Sequence, residues 1–252
     1  MTDDGLFVGA VQCLGSWLAV VFDGETFDHA TVCEGIGDVW LRYEDDAERI
    51  LVDVPIGLVE SGSEGRRCDS LARDVLGPRR DAVFRPPVRE ATRKRRFPAA
   101  SRAHERKTGR ELSRAAFDAR EAIAAVDELL QELPEAREVV GEAHSELCFR
   151  AFADGPLAHP RDVAAGYAER LRTLAEYDPD GPVTVQAVAE ATGEFEGGAD
   201  VAVADVLDAV ALGYTARPGP ELLRSLPAEP SRDATGLPMR MWYRAGTAFD
   251  ES

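Results

Sequence analysis

Strand-like segments dominate the first 54 residues and limit the chain to a sheet-centred fold. Residues 6–11, 17–22 and 26–33 are joined across Gly15 and the Asp23-Gly24 pair, a pattern that predicts an antiparallel meander. A weak helical pattern at 36–43 precedes a fully apolar run at 50–54, which Pro55 ends. Strands around a short helix predict a mixed α/β sheet.

The rest of the chain alternates helical patterns with short strands. Ser113 is a suitable N-cap for a strongly periodic helix at 113–133, and Pro134 ends that helix. Further patterns predict a strand at 139–144, helices at 161–177, 183–191 and 199–216, and a late strand at 239–243 that pairs at a sheet edge. We therefore expect one domain over residues 1–252.

A strongly basic segment interrupts this pattern. Residues 66–110 contain fifteen of the twenty-nine Lys and Arg residues and five acids, so the segment carries +10 in a chain of net charge −17. Gly and Pro residues punctuate it and predict short turns and loops, and we interpret residues 60–110 as an Arg-rich insertion. Arginine matches phosphate oxygens, which favours nucleic acid as the partner. Docking of the segment on the chain's own acidic body explains the charge equally well.

The composition limits the cellular environment and the kinds of site to be expected. Acids exceed bases by seventeen and only two basic residues are Lys, a balance that resembles proteins from salt-loving cells. The four cysteines lack the spacing of a zinc site or a disulfide framework. No signal-like start and no apolar run of membrane-spanning length occurs, which predicts a cytoplasmic protein with no membrane partner. The oligomeric state stays open.

Acidic residues stand at three places where ligand sites are expected. Asp53 closes the apolar strand, where it either caps a turn or faces a ligand at the strand's carboxyl end. Glu142 and His144 lie two apart on a predicted strand and so face one side. Asp205 and Asp208 are three apart in an otherwise apolar helix, where buried carboxylates are costly unless paired or metal-bound. Converging carboxylates are what a magnesium or manganese site needs.

The order of these elements resembles the ribonuclease H fold. Six stretches also recur in one family: V-D-V-P-I-G-L at 52–58, R-R-C-D-S-L-A-R-D-V-L-G at 66–77, V-F-R-P-P at 83–87, E-A-H-S-E-L-C-F at 142–149, D-V-L-D-A at 205–209 and G-L-P-M-R-M-W-Y at 236–243. They are similar to domain-of-unknown-function family 429, a family of predicted ribonuclease H-like nucleases, over nearly the whole chain. The resemblance implies an α/β ribonuclease H-like mixed sheet with flanking helices and the basic insertion.

Two departures from the family pattern bear on activity. Val11 stands where the family's first strand carries its leading Asp, the carboxylate that bridges the metals in ribonuclease H-like enzymes. The family's His-Pro-Glu is altered to His144-Ser145-Glu146. The remaining acids suffice for one ion rather than two, so a weakened or inactive member is expected.

The resemblance implies a metal-dependent nuclease (hydrolase). Asp53, Glu142 and Asp208 are the expected catalytic ligands of Mg or Mn, converging at one cleft, and Asp205 is the auxiliary ligand or base. His144 has either a role in positioning water or phosphate or a purely structural one. The alternative is a non-catalytic nucleic-acid-binding or assembly module that keeps the fold and has lost the metal site.

The same resemblance implies which arginines bind nucleic acid. Phosphate contacts are expected from Arg67 and Arg73, within the family-like stretch at 66–77, and from Arg79 and Arg89, which lie two residues beyond the stretches at 66–77 and 83–87. Asp69 and Arg73 also form an i, i+4 pair, for which a purely structural interpretation is equally available.

Overall fold

A computed structural model describes residues 5–13, 15–153, 155–193 and 201–251 of the chain. These residues form strands β1 (Leu6–Cys13), β2 (Ser16–Asp23), β3 (Thr26–Cys33), β4 (Ala47–Val52), β5 (Val140–Glu142), β6 (Leu222–Leu226) and β7 (Met241–Ala245). The first five strands make one mixed sheet in the order β3-β2-β1-β4-β5. β1 pairs antiparallel with β2 and parallel with β4, so it joins the meander to the parallel half.

Helices cover both faces of this sheet. The described ranges contain α1 (Ile36–Tyr43), α2 (Arg67–Leu76), α3 (Arg89–Thr92), α4 (Phe97–Thr108), α5 (Arg114–Asp118), α6 (Arg120–Glu132), α7 (Ala136–Val139), α8 (Ser145–Phe152), α9 (Ala164–Tyr177), α10 (Gly181–Gly193) and α11 (Val203–Ala216). This mixed sheet with flanking helices is the predicted α/β class and is consistent with a ribonuclease H-like fold. No helix in the described ranges is long and apolar enough to cross a membrane.

The side chains of β4 alternate between two hydrophobic cores. Leu51 lies in the core that α11 covers, whereas Ile50 and Val52 lie in the core that α1 and α6 cover. This alternation follows from the period of two in a β-strand. Asp53, the next residue, continues on the α11 side, and this placement directs its carboxylate to the end of the sheet where α11 begins.

Glycine lets α11 cross β1 at close range. A Cβ atom built on Gly9 would lie 2.2 Å from the backbone nitrogen of Gly213 and 2.4 Å from the carbonyl oxygen of Ala209. Only a residue without a side chain fits there, because both neighbours are backbone atoms. This contact fixes α11 on the sheet and thereby places the first turns of the helix over the carboxyl end of β1.

The Arg-rich insertion folds as short helices separated by turns. It contains α2, a 3-10 turn at Gly77–Ala82, α3 and α4, in place of the turns and loops predicted from its Gly and Pro residues. No single long helix forms, as expected. Val88, Ala100 and Phe117 belong to a small separate core under α3, α4 and α5.

Several predicted elements differ in extent or pairing. The helix expected at 113–133 is divided into α5 and α6, and Ser113 caps the first of them by accepting a 3.1 Å hydrogen bond from the Ala116 nitrogen. The strand expected at 139–144 ends at Glu142. The strand expected at 239–243 is β7, which pairs with β6 in a two-stranded sheet and also meets the β5 edge of the main sheet through a parallel bridge between Trp242 and Ala143. The predicted start of the last helix, Ala199, lies outside the described residues.

Candidate functional site

A cleft of about 460 Å³ opens where the carboxyl ends of β1 and β4 meet the first turns of α8 and α11. Asp53 follows β4 directly, and Asp205 and Asp208 lie near the beginning of α11. Glu146 joins them from the first turn of α8. All four carboxylates line the cleft. The structure therefore brings together three of the predicted acids, Asp53, Asp205 and Asp208. It adds Glu146, to which no ligand role had been assigned.

Val11 lies next to Asp53 in this cleft. The backbone nitrogen of Asp53 donates to the carbonyl of Ala10 at 3.3 Å, which extends the parallel pairing of β1 with β4. The side chain of Val11 is buried and borders the cleft. An uncharged side chain thus occupies the position where the family resemblance expects the first carboxylate.

Arg161 bridges the two carboxylates of α11. Its Nη1 donates to Oδ2 of Asp208, and its Nη2 donates to Oδ1 of Asp205 at 3.1 Å. The Arg161 side chain is 44% exposed whereas that of Asp208 is 2% exposed, so the guanidinium reaches inward from the rim of the cleft. Arg161 is supplied by the segment between α8 and α9 and places one positive charge between the two carboxylates of this wall.

Glu146 is buried and only partly satisfied. Arg170 donates to its Oε1, and a nitrogen of Arg79 lies 3.6 Å from the same oxygen. Its other oxygen, Oε2, is buried and has no hydrogen-bond partner among the described residues. A buried carboxylate oxygen without a partner is costly, so this position favours a cation or a hydrogen-bond donor from a ligand.

The raised pKa values of the cleft acids also favour a bound cation. Burial raises the pKa of Asp208 to about 7, with Arg161 opposing that rise and the nearby Asp53 and Glu146 carboxylates adding to it. Burial likewise raises the pKa of Asp205, again against the effect of Arg161. One guanidinium therefore does not fully compensate the carboxylates of this wall.

The donor set of the cleft fits one hard divalent cation only after a rearrangement. Asp53, Glu146 and Asp208 offer the carboxylate oxygens that Mg²⁺ and Mn²⁺ prefer, and Glu146 has an unsatisfied oxygen among them. As the side chains stand, the described residues contain no group of three or more His, Cys, Asp or Glu side chains arranged to hold an ion. Arg161 already occupies Asp208 and Arg170 occupies one oxygen of Glu146, so metal binding requires Arg161 to release Asp208.

The structure places Glu142 elsewhere. Glu142 pairs with Val52 in the sheet, one residue before Asp53, so its side chain points away from the face of the Asp53 carboxylate. Arg66 donates to both of its oxygens, at 2.7 and 2.8 Å, and the Ile56 nitrogen donates to Oε2 at 2.7 Å. The expected convergence of Glu142 with Asp53 and Asp208 therefore does not occur, because the Glu142 carboxylate is held within the protein by Arg66.

Arg66 holds a second acid in the same buried cluster. Its guanidinium also donates to Asp69, and both side chains are 1% exposed. Asp69 thus pairs with Arg66 rather than with Arg73, which instead donates to Asp81 at 3.0 Å. Burial alone would lower the pKa of Arg66. Asp69 and Glu142 raise it more strongly, so the pKa lies well above its ordinary value. This cluster is structural and lies outside the cleft.

His144 caps a helix at the border of the cleft. Its Nδ1 accepts a 3.3 Å hydrogen bond from the Glu146 nitrogen at the start of α8. The strand that was expected to carry His144 has already ended, so Glu142 and His144 do not form a row on one face. The ring nevertheless lines the cleft together with Glu146.

The four arginines predicted to bind nucleic acid occupy different settings. Arg79 lines the cleft, and Arg67 is 57% exposed with Glu251 as its partner at 3.3 Å. Arg73 is half-buried and also donates to the Val83 carbonyl. Arg89 is buried and donates to Asp127, Asp233 and Glu60. Arg89 is thus not accessible to a phosphate, because three acids of the chain surround it.

A second cavity, of about 700 Å³, adjoins the cleft. Phe84 and Ala115 line both spaces, so the cavity continues the cleft toward the insertion. Its walls carry Arg73, Arg85 and Arg110, with Asp81 and Glu111 as the acids. We call this second cavity the basic groove.

The insertion divides its positive charge between internal pairs and solvent. Seven of its arginines are exposed and have no ion pair or side-chain hydrogen bond to any described residue: Arg80, Arg85, Arg93, Arg95, Arg96, Arg102 and Arg110. Lys94, Arg106 and Lys107 all lie within 4.0 Å of Glu90. Internal pairing therefore accounts for part of the charge of the basic segment, and phosphate binding by the exposed arginines stays a prediction.

Sequence reasoning missed the positions that complete or close the cleft. Glu146 was noticed only as part of a motif, and its burial depends on α8 beginning only two residues after the three-residue strand β5 ends. Arg161 and Asp208 are 47 residues apart, and no local pattern signals that contact. The Arg66–Asp69 pair could have been predicted, because opposite charges three residues apart meet on one helical turn.

The fold and the cleft define an α/β protein with an acidic site at the carboxyl ends of its central strands. A family model described as a protein of unknown function, DUF429, matches residues 3–232, so the chain belongs to this family, as its motifs predicted. No curated protein and no solved structure matches the chain.

Proposed function

We propose that this protein is a weakened, metal-dependent nuclease of the ribonuclease H type, acting on phosphodiester bonds in the acidic cleft. The observation that carries the proposal is the convergence of Asp53, Glu146, Asp205 and Asp208 on one cleft that continues into a basic groove. Carboxylates beside a cationic groove are the arrangement that holds a phosphate backbone next to a metal site.

The residues of the cleft would take different roles. Asp53, Glu146 and Asp208 would hold one Mg²⁺ or Mn²⁺, and that ion would activate water and stabilise the leaving oxygen of the phosphodiester. Asp205 would serve as the auxiliary carboxylate. Arg79 would contact phosphate, and so would Arg161 once it has released Asp208. The neutral Val11 would make this activity weak, because the site lacks one carboxylate that could help to hold a second ion.

A second candidate is a non-catalytic nucleic-acid-binding module. The pairing of Arg161 with both Asp205 and Asp208 favours it, since this arginine already supplies a positive charge inside the cleft. The two candidates differ in one measurable property: only the nuclease binds a divalent cation at these carboxylates.

Removal of the Arg161 guanidinium should uncover the metal site. Without metal, Arg161→Gln should melt below the wild type, because Asp208 loses its charge partner. Manganese should then stabilise Arg161→Gln more than the wild type, by about 2.7 kcal/mol at a metal concentration of 100 times its Kd. Melting temperatures with EDTA and with Mn²⁺, supported by calorimetric titration of Mn²⁺, measure the effect.

Two further variants control this experiment. Arg172→Gln removes an exposed arginine of α9 that has no ion pair with a described residue, and it should respond to manganese as the wild type does. Adding Asp208→Asn to Arg161→Gln should abolish the extra stabilisation. If Arg161→Gln gains no more from Mn²⁺ than Arg172→Gln does, the nuclease proposal fails and the non-catalytic module stands.

A pair of triple variants separates the two kinds of cation in the insertion. Changing Arg93, Arg95 and Arg96 to Gln should weaken binding to duplex DNA and reduce the log–log salt slope by up to about 2.7, at roughly 0.9 per lost phosphate contact. Changing Lys94, Arg106 and Lys107 to Gln removes the same charge from residues that surround Glu90, and should change the slope less. Titrations at several salt concentrations give both slopes, and equal slopes would contradict the distinction.

A further inference from the structure

We propose that the cleft and the basic groove together bind a single strand of nucleic acid, with one base stacked on Phe84. This inference rests on the proposed function and names the substrate class of the same site. It depends on three features of the described residues: the depth of the carboxylates, the position of one aromatic ring, and the distribution of unpaired arginines.

The depth of the acids excludes a rigid duplex from the reacting position. Asp208 and Glu146 are 2% and 3% exposed, and both lie below a rim that includes Arg161. The two spaces, of about 460 and 700 Å³, have the size of pockets for small molecules, enough for individual nucleotides. DNA duplexes are stiff on this scale, whereas a single strand can turn one nucleotide into such a space.

Phe84 stands at the boundary between the two spaces. It is half-buried, lines both of them, and packs against the sheet core on one side and the core of the insertion on the other. An aromatic face beside a cationic groove is the usual platform for unpaired bases, because every base stacks on it regardless of sequence.

The cations of the groove are placed for a backbone that passes Phe84. Arg85 and Arg110 are exposed and have no ion pair or side-chain hydrogen bond with a described residue. Arg73 is held by Asp81 and the Val83 carbonyl. Arg79 lies in the cleft itself, beside the acids. His104 also lines the groove, but burial lowers its pKa and its Nδ1 accepts from the Val88 nitrogen, so it adds no charge.

The test is binding of fluorescently labelled oligonucleotides in EDTA, which removes metal and prevents cleavage. The wild type should bind a fifteen-nucleotide dT strand at least about tenfold more tightly than a hairpin duplex of equal charge, a difference of about 1.4 kcal/mol. Phe84→Leu keeps an apolar side chain and should weaken binding of the strand about 5- to 150-fold, the range measured for loss of one stacked base. Phe84→Trp should restore it. Parallel titrations with rU strands show whether DNA or RNA is preferred.

Matched controls make the outcome decisive. Phe97→Leu removes a half-buried ring of the insertion that packs on Phe117 and under Arg114, away from both spaces, and should leave binding unchanged. Arg85→Gln and Arg110→Gln should each reduce the salt slope by roughly 0.7, the value for one phosphate of a single strand. Equal affinity for strand and duplex, or equal effects of Phe84→Leu and Phe97→Leu, would overturn the inference.

The result is independent of the metal experiment. Strand binding that needs Phe84, together with no Mn²⁺ effect in Arg161→Gln, supports this inference and refutes the nuclease. Metal-dependent duplex cleavage that ignores Phe84 supports the nuclease and refutes this inference.

Discussion

Replacing Arg66 with leucine should lower the free energy of unfolding by about 3–5 kcal/mol, the usual cost of removing one partner from a buried ion cluster. The guanidinium is 1% exposed and serves Asp69, Glu142 and the Ile56 carbonyl. Its loss leaves two carboxylates in the interior without a positive charge. Urea denaturation monitored by circular dichroism measures the change.

The adjacent residue provides the control for this variant. Arg67→Leu removes an arginine that is 57% exposed and should change stability by no more than about 0.5 kcal/mol. Adding Asp69→Asn and Glu142→Gln to Arg66→Leu should recover part of the loss, because the stranded groups are then neutral. A loss below about 1 kcal/mol for Arg66→Leu would show that the buried cluster is not formed in solution.

Gly9→Ala should destabilise the protein by about 3 kcal/mol or more, at or beyond the upper end of the range for overpacking. The new methyl group would lie 2.2 Å from the Gly213 nitrogen, so α11 must move away from β1. That movement also displaces Asp205 and Asp208. Urea denaturation reports the stability.

Gly37→Ala is the matched control for Gly9→Ala. Gly37 lies in α1, and a Cβ there would have no neighbouring atom within 4 Å. Its replacement should therefore stabilise the protein by up to about 1 kcal/mol through helix propensity. Similar effects of the two substitutions would mean that α11 does not cross β1 at the close range described.

Local patterns predicted the first half of the sheet well. The strand at 26–33 and the helix at 36–43 have the predicted limits, and the other early strands differ by a few residues at their ends. Turn residues and apolar runs specify these elements because their contacts are between neighbouring strands. The same reasoning gave α5 and α6 as one helix, since the periodicity of apolar residues continues across the break at Ala119.

The site was harder to predict because its geometry depends on contacts distant in sequence. Asp53, Asp205 and Asp208 were found because each is a carboxylate in an apolar stretch of sequence. That pattern is visible even when the residue that contacts the carboxylate is not known. Glu142 was assigned to the wrong surroundings since its alternation with respect to Asp53 depends on the register of β5 against β4. Its actual partner, Arg66, lies 76 residues away.

The arginines of the insertion give it an architectural role as well as a charge. Among the described residues, Arg66 is the only one whose side chain neutralises Glu142. Arg89 likewise neutralises Asp127 and Asp233. A shortened chain without residues 60–110 would therefore expose the interior acids of the sheet and of α6 without their counterions. A stable chain without this segment would therefore also need replacements at Asp127, Glu142 and Asp233, so the basic segment cannot be removed as a separate unit.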